Sequence, residues 1–177
     1  YNMESCFRPK RDCFEFFLMD QNADTGEIIS QEKIKILISD DARKLYDKIV
    51  IVAKKQIRNL IKDINRGPLK KIKQKKNKGN FLRKRNFNDG EIDWRMSALS
   101  ISRLVRALNH PYPGAHLQYE NKIYKIWKVK IIQDKKMIEP GKILSNKNNV
   151  PIIKCADSAI QIISSTPRID LRGAKYL

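Results

Sequence analysis

Apolar residues recur along this chain with two periods, one typical of helices and one typical of strands. Four of them follow the i, i+3, i+4, i+7 spacing of one buried helical face: Ile101, Leu104, Val105 and Leu108. Ser97 precedes them in the position of an N-cap, and Pro111 ends the pattern. The segment 89–116 is therefore predicted to hold an amphipathic helix between two turns.

The first third of the chain alternates strand-like and helix-like patterns. The bulky run 14–19 predicts a buried strand, a polar loop follows, and apolar residues on alternate positions of 27–38 predict a second strand. Apolar spacing over 42–64 then predicts a helix of about seven turns. Residues 39–41 are expected to cap it. This order indicates the final part of an α/β layer.

After Pro113 the pattern changes to short strands with turn residues between them. Glu120-Asn121 is a two-residue hairpin candidate between strands at 116–119 and 122–132. Three further strands are predicted at 142–144, 150–155 and 159–163, with a turn at 146–149. So many short strands in about 60 residues predict a small antiparallel β-barrel, OB-like in type.

Positive charge is concentrated in one segment. The net charge is +18, and residues 69–85 hold nine basic and no acidic residues, which is about half of that excess. A charged block of this kind is typical of a solvated linker, while Arg83 and Arg85 are suited to gripping phosphates. Lysine, asparagine and isoleucine are abundant throughout, so the total charge alone indicates little about partners.

Three cysteines, Cys6, Cys13 and Cys155, lack the spacing of a metal site. We therefore expect reduced thiols in a cytoplasmic protein without a metal centre. No apolar run approaches the length that crosses a membrane, so no membrane partner is expected.

Two strings of letters carry a family resemblance. DGEIDW at 89–94 and LVRALNHPYPGA at 104–115 resemble the start of the C-terminal domain of formyltransferases that use 10-formyltetrahydrofolate. Methionyl-tRNA formyltransferases typically have isoleucine before the Arg-Ala and tryptophan in the turn. Val105 and Tyr112 stand at those places here, so the nucleotide-sugar branch is the more similar.

Asp24 is the catalytic residue that the resemblance implies. Asp-Thr-Gly alone is typical of a turn in which the carboxylate bonds its own backbone. Within FFLMDQNADTGEII at 16–29, however, it resembles the segment that carries the family's catalytic aspartate. The loop with Asp20, Asp24 and Gly26 would then contact the folate, and Arg83, Arg85 and Arg106 would bind the phosphates of the acceptor.

The family's other catalytic residues are not found in this sequence. An Asn-x-His motif is expected upstream of Asp24, and residues 1–20 do not match it. His110 and His116 lie in or next to the Pro-Gly turn and are expected to be turn or surface residues. The resemblance therefore implies the C-terminal portion of such an enzyme, without the upstream half that carries this motif, and leaves open whether that portion is active alone.

These observations predict an α/β protein: the C-terminal part of a Rossmann-like formyltransferase domain (1–67), a basic linker (68–88) and a C-terminal domain of one helix and a small OB-like barrel (89–177). The implied function is transfer of formyl from 10-formyltetrahydrofolate to the amine of a nucleotide-linked amino sugar. Methionyl-tRNA formylation, with tRNA as partner, and a non-catalytic RNA-binding module are the alternatives, and a homodimer is left open.

Overall fold

A computed structural model describes residues 11–22, 24–74 and 83–177. The chain divides into two compact units, one within residues 11–83 and the other formed mainly by residues 84–177. The domain boundaries expected from the sequence stay a prediction. No helix in the described part of the chain is both long and apolar enough to cross a membrane.

The first unit contains a hairpin followed by one long helix. Strands β1 (Arg11–Phe17) and β2 (Ile28–Lys35) pair antiparallel, and helix α1 spans Ala42–Ile64. The expected order of strand, loop, strand and helix is thus confirmed. Residues 75–82, in the middle of the basic segment 69–85, lie outside the described residues, as does Cys6.

A strand forms in the region 14–19, as predicted, but the prediction that it is buried is wrong. The strand ends at Phe17 and is only half-buried, and Met19 is 95% exposed. Its only strand partner among the described residues is β2, so β1 lacks the neighbours that bury a central strand on both faces. Helix α1 buries Ala42, Leu45 and Gln56 along one line, whereas Ile51 on another face is 68% exposed.

Asp40, one of the residues 39–41 expected to cap α1, contacts both the approach to the helix and the helix itself. Asp40 accepts a hydrogen bond from the backbone amide of Leu37 at 2.8 Å and forms an ion pair with Lys48. Its carboxylate therefore joins the approach to the helix to the second turn of the helix itself. Lys48 also donates to the carbonyl of Lys35 at 3.2 Å, which ties the helix to the end of β2.

The second unit is a five-stranded antiparallel sheet with a helix packed on it. Its helix α2 spans Ala98–Ala107, and its strands are β3 (Ala115–Tyr119), β4 (Lys122–Ile132), β5 (Ile143–Lys147), β6 (Val150–Lys154) and β7 (Ala159–Thr166). Their spatial order is β3-β4-β7-β6-β5. The edge strands β3 and β5 do not pair with each other, so the described strands form an open sheet and the closed barrel is not confirmed.

The β3-β4 hairpin turn and the Ser97 cap of α2 form as the sequence predicted. Glu120 and Asn121 both have positive φ and close the β3-β4 hairpin. Ser97 accepts from the amide of Ser100 at 3.1 Å, which confirms it as the N-cap of α2. A second cap comes from a distant turn, since Asp157 accepts from the amide of Ala98 at 2.8 Å.

The core of the second unit lies between α2 and the sheet. Its most deeply buried side chains come from both layers: Ile101, Val105, Ile126, Ile153, Cys155, Ile160, Ile162 and Leu171. Burial raises the pKa of Cys155 to about 12, so its thiol stays protonated. Cys155 and the exposed Cys13 are both free thiols.

Candidate active-site loop

The loop between β1 and β2, from Asp20 to Gly26, is organised by its own polar side chains. Asp20 Oδ1 accepts from the Thr25 hydroxyl at 2.6 Å and from the Asn22 amide at 2.8 Å. These two donors hold the pKa of Asp20 below its ordinary value. The carboxylate of Asp20 is therefore used within the loop, where it stabilises the turn.

The two ends of the loop are brought together at Gly26. The amide of Leu18 donates to the carbonyl of Glu27 at 2.9 Å, which closes the base of the loop. A Cβ placed on Gly26 would lie 1.5 Å from the carbonyl oxygen of Leu18. Only glycine fits there, because any side chain would force the two strands apart.

Asp24 stands at the turn of this loop with its side chain exposed. Its φ of 58° lies in the left-handed region, which aspartate tolerates better than most residues. An exposed carboxylate on a tightly constrained turn is available to a group that approaches from outside. This geometry suits the catalytic role expected for Asp24, which stays a prediction.

A residue from the basic segment holds the loop from the other side. Ile72 and Ile28 exchange two backbone hydrogen bonds of 2.9 Å each, and Gln74 follows two residues later. Gln74 Nε2 donates to the carbonyl oxygens of Asp24 at 3.1 Å and Gly26 at 2.8 Å. The first residues of the segment are therefore attached to the loop, whereas the sequence suggested a solvated linker.

The site residues expected from the sequence fall into separate segments. Asp20, Asp24 and Gly26 lie together in the loop just described. Arg83 and Arg85 are exposed, and Arg106 is half-buried in the last turn of α2. The phosphate-binding role of the arginines and their association with the loop both stay predictions.

The proline turn after α2 is seated on Trp127. The rings of His110 and Trp127 stack with centroids 4.2 Å apart, and Trp127 Nε1 donates to Thr166 Oγ1 at 3.0 Å. Gly114 has φ of 88°, and a Cβ there would lie 2.9 Å from the Trp127 ring. Local sequence patterns do not predict this stacking, because Trp127 lies on β4, 17 residues after His110.

His116 is buried, so its assignment as a turn or surface residue is wrong. It lies in β3 with 3% of its surface exposed, and its ring stacks on Phe87 at 4.0 Å. Burial lowers the pKa of His116, with Lys125 adding to the effect and Glu91 opposing it. Phe87 covers its ring, and Glu91 and Ile92 pair with this edge strand at His116, which the Pro-Gly turn alone does not reveal.

The five strands of the second unit carry no acidic residue. Four lysines lie on β4 alone: Lys122, Lys125, Lys128 and Lys130. Lys154 on β6 is different, because it is buried and donates to the carbonyl of Asp134 at 3.0 Å. The charged residues of the strands are therefore all basic, which favours anionic partners over cationic ones.

Comparison with known proteins identifies relatives of this chain. The family model for the formyl transferase C-terminal domain matches residues 85–169. The methionyl-tRNA formyltransferase of Caldanaerobacter subterraneus subsp. tengcongensis is 32% identical over 146 residues, covering 82% of this chain and 47% of that protein. That of Halothermothrix orenii is 32% identical over 165 residues, covering 90% and 51%. The chain thus spans about half the length of these curated relatives.

Solved structures share the fold at low sequence identity. A HypX variant from Aquifex aeolicus has a TM-score of 0.67 at 16% identity, over 85% of this chain and 26% of that one. The sugar 3N-formyl transferase WlaRD has a TM-score of 0.60 at 21% identity, over 90% and 56%.

Residues 85–169 thus form a formyl transferase C-terminal domain. The similarity to formyltransferases extends beyond this domain, over 82% to 90% of the chain.

Proposed function

We propose that the complete polypeptide transfers a formyl group from 10-formyltetrahydrofolate to a primary amine. The observation that carries this proposal is the Asp20–Gly26 loop, which presents Asp24 on a fixed turn in a chain that is similar to formyltransferases. Because the chain spans about half the length of its relatives, the proposal concerns the whole protein. A cytoplasmic location and the boundaries 1–67, 68–88 and 89–177 are part of the same proposal.

The reaction needs a base near the attacking amine. The amine nitrogen forms a bond to the formyl carbon and loses a proton to the base, and the bond from that carbon to N10 of the folate breaks as N10 takes up a proton. Asp24 would orient the imidazole of the family's Asn-x-His motif and stabilise its protonated form. That motif does not occur in these 177 residues. The hydrogen bonds that hold the backbone of the turn support this role of Asp24, because a charge that is already in position costs little reorganisation during the reaction.

We propose that the same loop contacts the folate. Gly26 is buried against the carbonyl oxygen of Leu18, so it closes the base of the loop and leaves the exposed side of the turn, at Asp24 and Thr25, to the ligand. WlaRD was crystallised in the presence of 5-N-formyl-THF, and another HypX structure contains tetrahydrofolic acid. Folate supplies the formyl group, and Asp24 would lie against it, with Asp20 and Gly26 holding the loop in shape.

Methionyl-tRNA is the acceptor best supported by the relatives. Both curated proteins at 32% identity are methionyl-tRNA formyltransferases. The strands without acidic residues and the lysines of β4 suit a polyanion, and phosphate contacts dominate such affinity. This reverses the preference for a sugar that the sequence motif suggested.

A nucleotide-linked amino sugar is the second candidate acceptor. Val105 and Tyr112 stand where methionyl-tRNA formyltransferases typically have isoleucine and tryptophan. WlaRD, a sugar 3N-formyl transferase, shares the fold over 90% of this chain. Under this assignment Arg83, Arg85 and Arg106 would bind the diphosphate, because the guanidinium fork matches phosphate oxygens in pairs.

A formylation assay with both acceptors tests the proposal. The complete gene product is incubated with 10-formyltetrahydrofolate and either methionyl-tRNA or a dTDP-linked amino sugar, and the formylated product is measured by mass spectrometry. We expect product with methionyl-tRNA and a rise in its KM with salt. Product with the sugar alone would transfer the assignment to the second acceptor. No product with either would overturn the enzyme assignment and favour a binding module.

A further inference from the structure

Gln74 is joined to the candidate active-site loop in a way that the reaction described above does not use. Its single amide nitrogen donates to two carbonyl oxygens, those of Asp24 at 3.1 Å and Gly26 at 2.8 Å. A carboxamide nitrogen carries two hydrogens, so both bonds can form at once. The two acceptors flank Thr25, which means that one side chain spans the whole Asp-Thr-Gly turn.

Backbone pairing explains why Gln74 is in this place. Ile28 and Ile72 form an antiparallel bridge with two hydrogen bonds of 2.9 Å each. In an antiparallel register, a step of two residues back from Ile28 and two forward from Ile72 sets Gly26 opposite Gln74. The bridge therefore delivers the carboxamide to the turn, and residues 69–74 act as a third strand-like segment beside β2.

The turn needs an external hold because of its backbone conformation. Asp24 has φ of 58°, and non-glycine residues in that region persist where their surroundings fix them. Thr25 and Asp20 secure one side of the loop through their side chains. Gln74 is half-buried and secures the carbonyls on the other side. Releasing those carbonyls would let the peptide planes on both sides of Thr25 rotate, and the Asp24 carboxylate would turn with them.

We propose that Gln74 is a positioning residue, which fixes the Asp24-Thr25-Gly26 turn and so sets the direction of the Asp24 carboxylate. This inference rests on the proposed formyl transfer, in which Asp24 is the catalytic aspartate. It assigns a role in the active site to the beginning of the basic segment, through an uncharged residue of that segment.

The test uses Gln74→Glu in the complete gene product. The variant keeps the shape of the side chain but sets a carboxylate oxygen against two carbonyl oxygens. We expect kcat to fall about tenfold or more, with KM for the acceptor changed less than about threefold, because orientation rather than acceptor binding is lost. Asn65→Asp, the same amide-to-acid change at an exposed site after α1, should leave both constants unchanged.

The pH profile separates positioning from general support of the fold. As the pH falls, the introduced carboxyl gains a proton and can again donate one hydrogen bond to the turn. The ratio of the variant's kcat to the wild-type kcat should therefore rise at acid pH. Gln74→Asn, whose amide is one methylene shorter, should lose activity without this recovery. A fall in kcat that is equal at every pH and accompanied by a lower Tm would overturn the proposal.

Amide hydrogen exchange provides a readout that does not depend on turnover. Gln74→Glu should exchange faster than wild type at residues 24–28 and at the same rate in α1. Unchanged exchange and unchanged kcat in this variant, beside an inactive Asp24→Asn, would overturn the positioning role and leave the proposed function intact. If wild type forms no product, the function fails, and exchange alone decides whether Gln74 holds the turn.

Discussion

The two units of this chain are stabilised in different ways. The second unit closes a core between α2 and its sheet, and side chains such as Ile101 and Ile126 have no exposed surface. The first unit buries few side chains and leaves large apolar ones exposed, with Ile38 at 77% and Ile51 at 68%. Its candidate active-site loop is held by hydrogen bonds that Asp20 accepts from Thr25 and Asn22 and by those that Gln74 donates.

This contrast shows where packing and where polar contacts determine geometry. A packed core tolerates little change, because each removed methylene leaves a cavity or forces a rearrangement. A loop held by a few hydrogen bonds can be shifted by one polar substitution with little loss of stability. The position of Asp24 should therefore be sensitive to Gln74, and the position of Arg106 on α2 should be sensitive to the core beneath it.

Truncating one isoleucine in each unit sharpens the comparison most. Ile126→Ala removes a fully buried side chain and should lower the free energy of unfolding by about 2 to 5 kcal/mol. Ile51→Ala on the exposed face of α1 should change it by less than about 0.5 kcal/mol. Urea unfolding of both variants measures the difference. Equal losses would mean that Ile51 is covered in the complete protein.

The pH dependence of stability should show a smaller effect, which belongs to the second unit. Burial lowers the pKa of His116 below its ordinary value of 6.5 in the folded state. The unfolded chain therefore takes up the proton first as the pH falls. Neutral His116 makes its full contribution to the free energy of unfolding above pH 6.5. That contribution is lost as the pH falls from about 6.5 through the lowered pKa.

Unfolding by urea at several pH values measures this contribution. We expect the free energy of unfolding to decrease on acidification in wild type and to decrease less steeply in His116→Gln. Identical slopes in the two proteins would contradict the assignment of a buried, neutral imidazole. Because His116→Gln also removes the ring that stacks on Phe87, the dependence on pH is compared and not the stability at one pH.

The parts of the fold that the sequence predicted depend on neighbours along the chain. The stripe from Ile101 to Leu108, the Ser97 cap and the Glu120-Asn121 turn each involve residues a few positions apart, so local spacing was enough. Contacts between distant segments were missed. Asp157 caps α2 from 59 residues away, and in the described part of the chain β3 and β5 do not pair with each other, although the strand count suggested a barrel.

The candidate site divides in the same way. Asp20, Asp24 and Gly26 belong to one short string and could be selected together by resemblance to a known motif. Gln74 could not, because it reaches Asp24 from 50 residues away through the Ile28 and Ile72 bridge. Gln74 is also uncharged within the segment 69–85, whose composition points to its lysines and arginines as the functional residues.

The central claim is that Asp24 is the catalytic aspartate and that the rest of the loop holds the turn on which it lies. Asp24→Asn in the complete gene product is the most direct test, because the change keeps the size of the side chain and removes its charge. We predict that kcat for formyl transfer falls by at least about a hundredfold while the far-UV circular dichroism and Tm stay those of wild type. Asp63→Asn, at an exposed aspartate near the end of α1, should keep wild-type kcat. Wild-type kcat in Asp24→Asn would contradict the account.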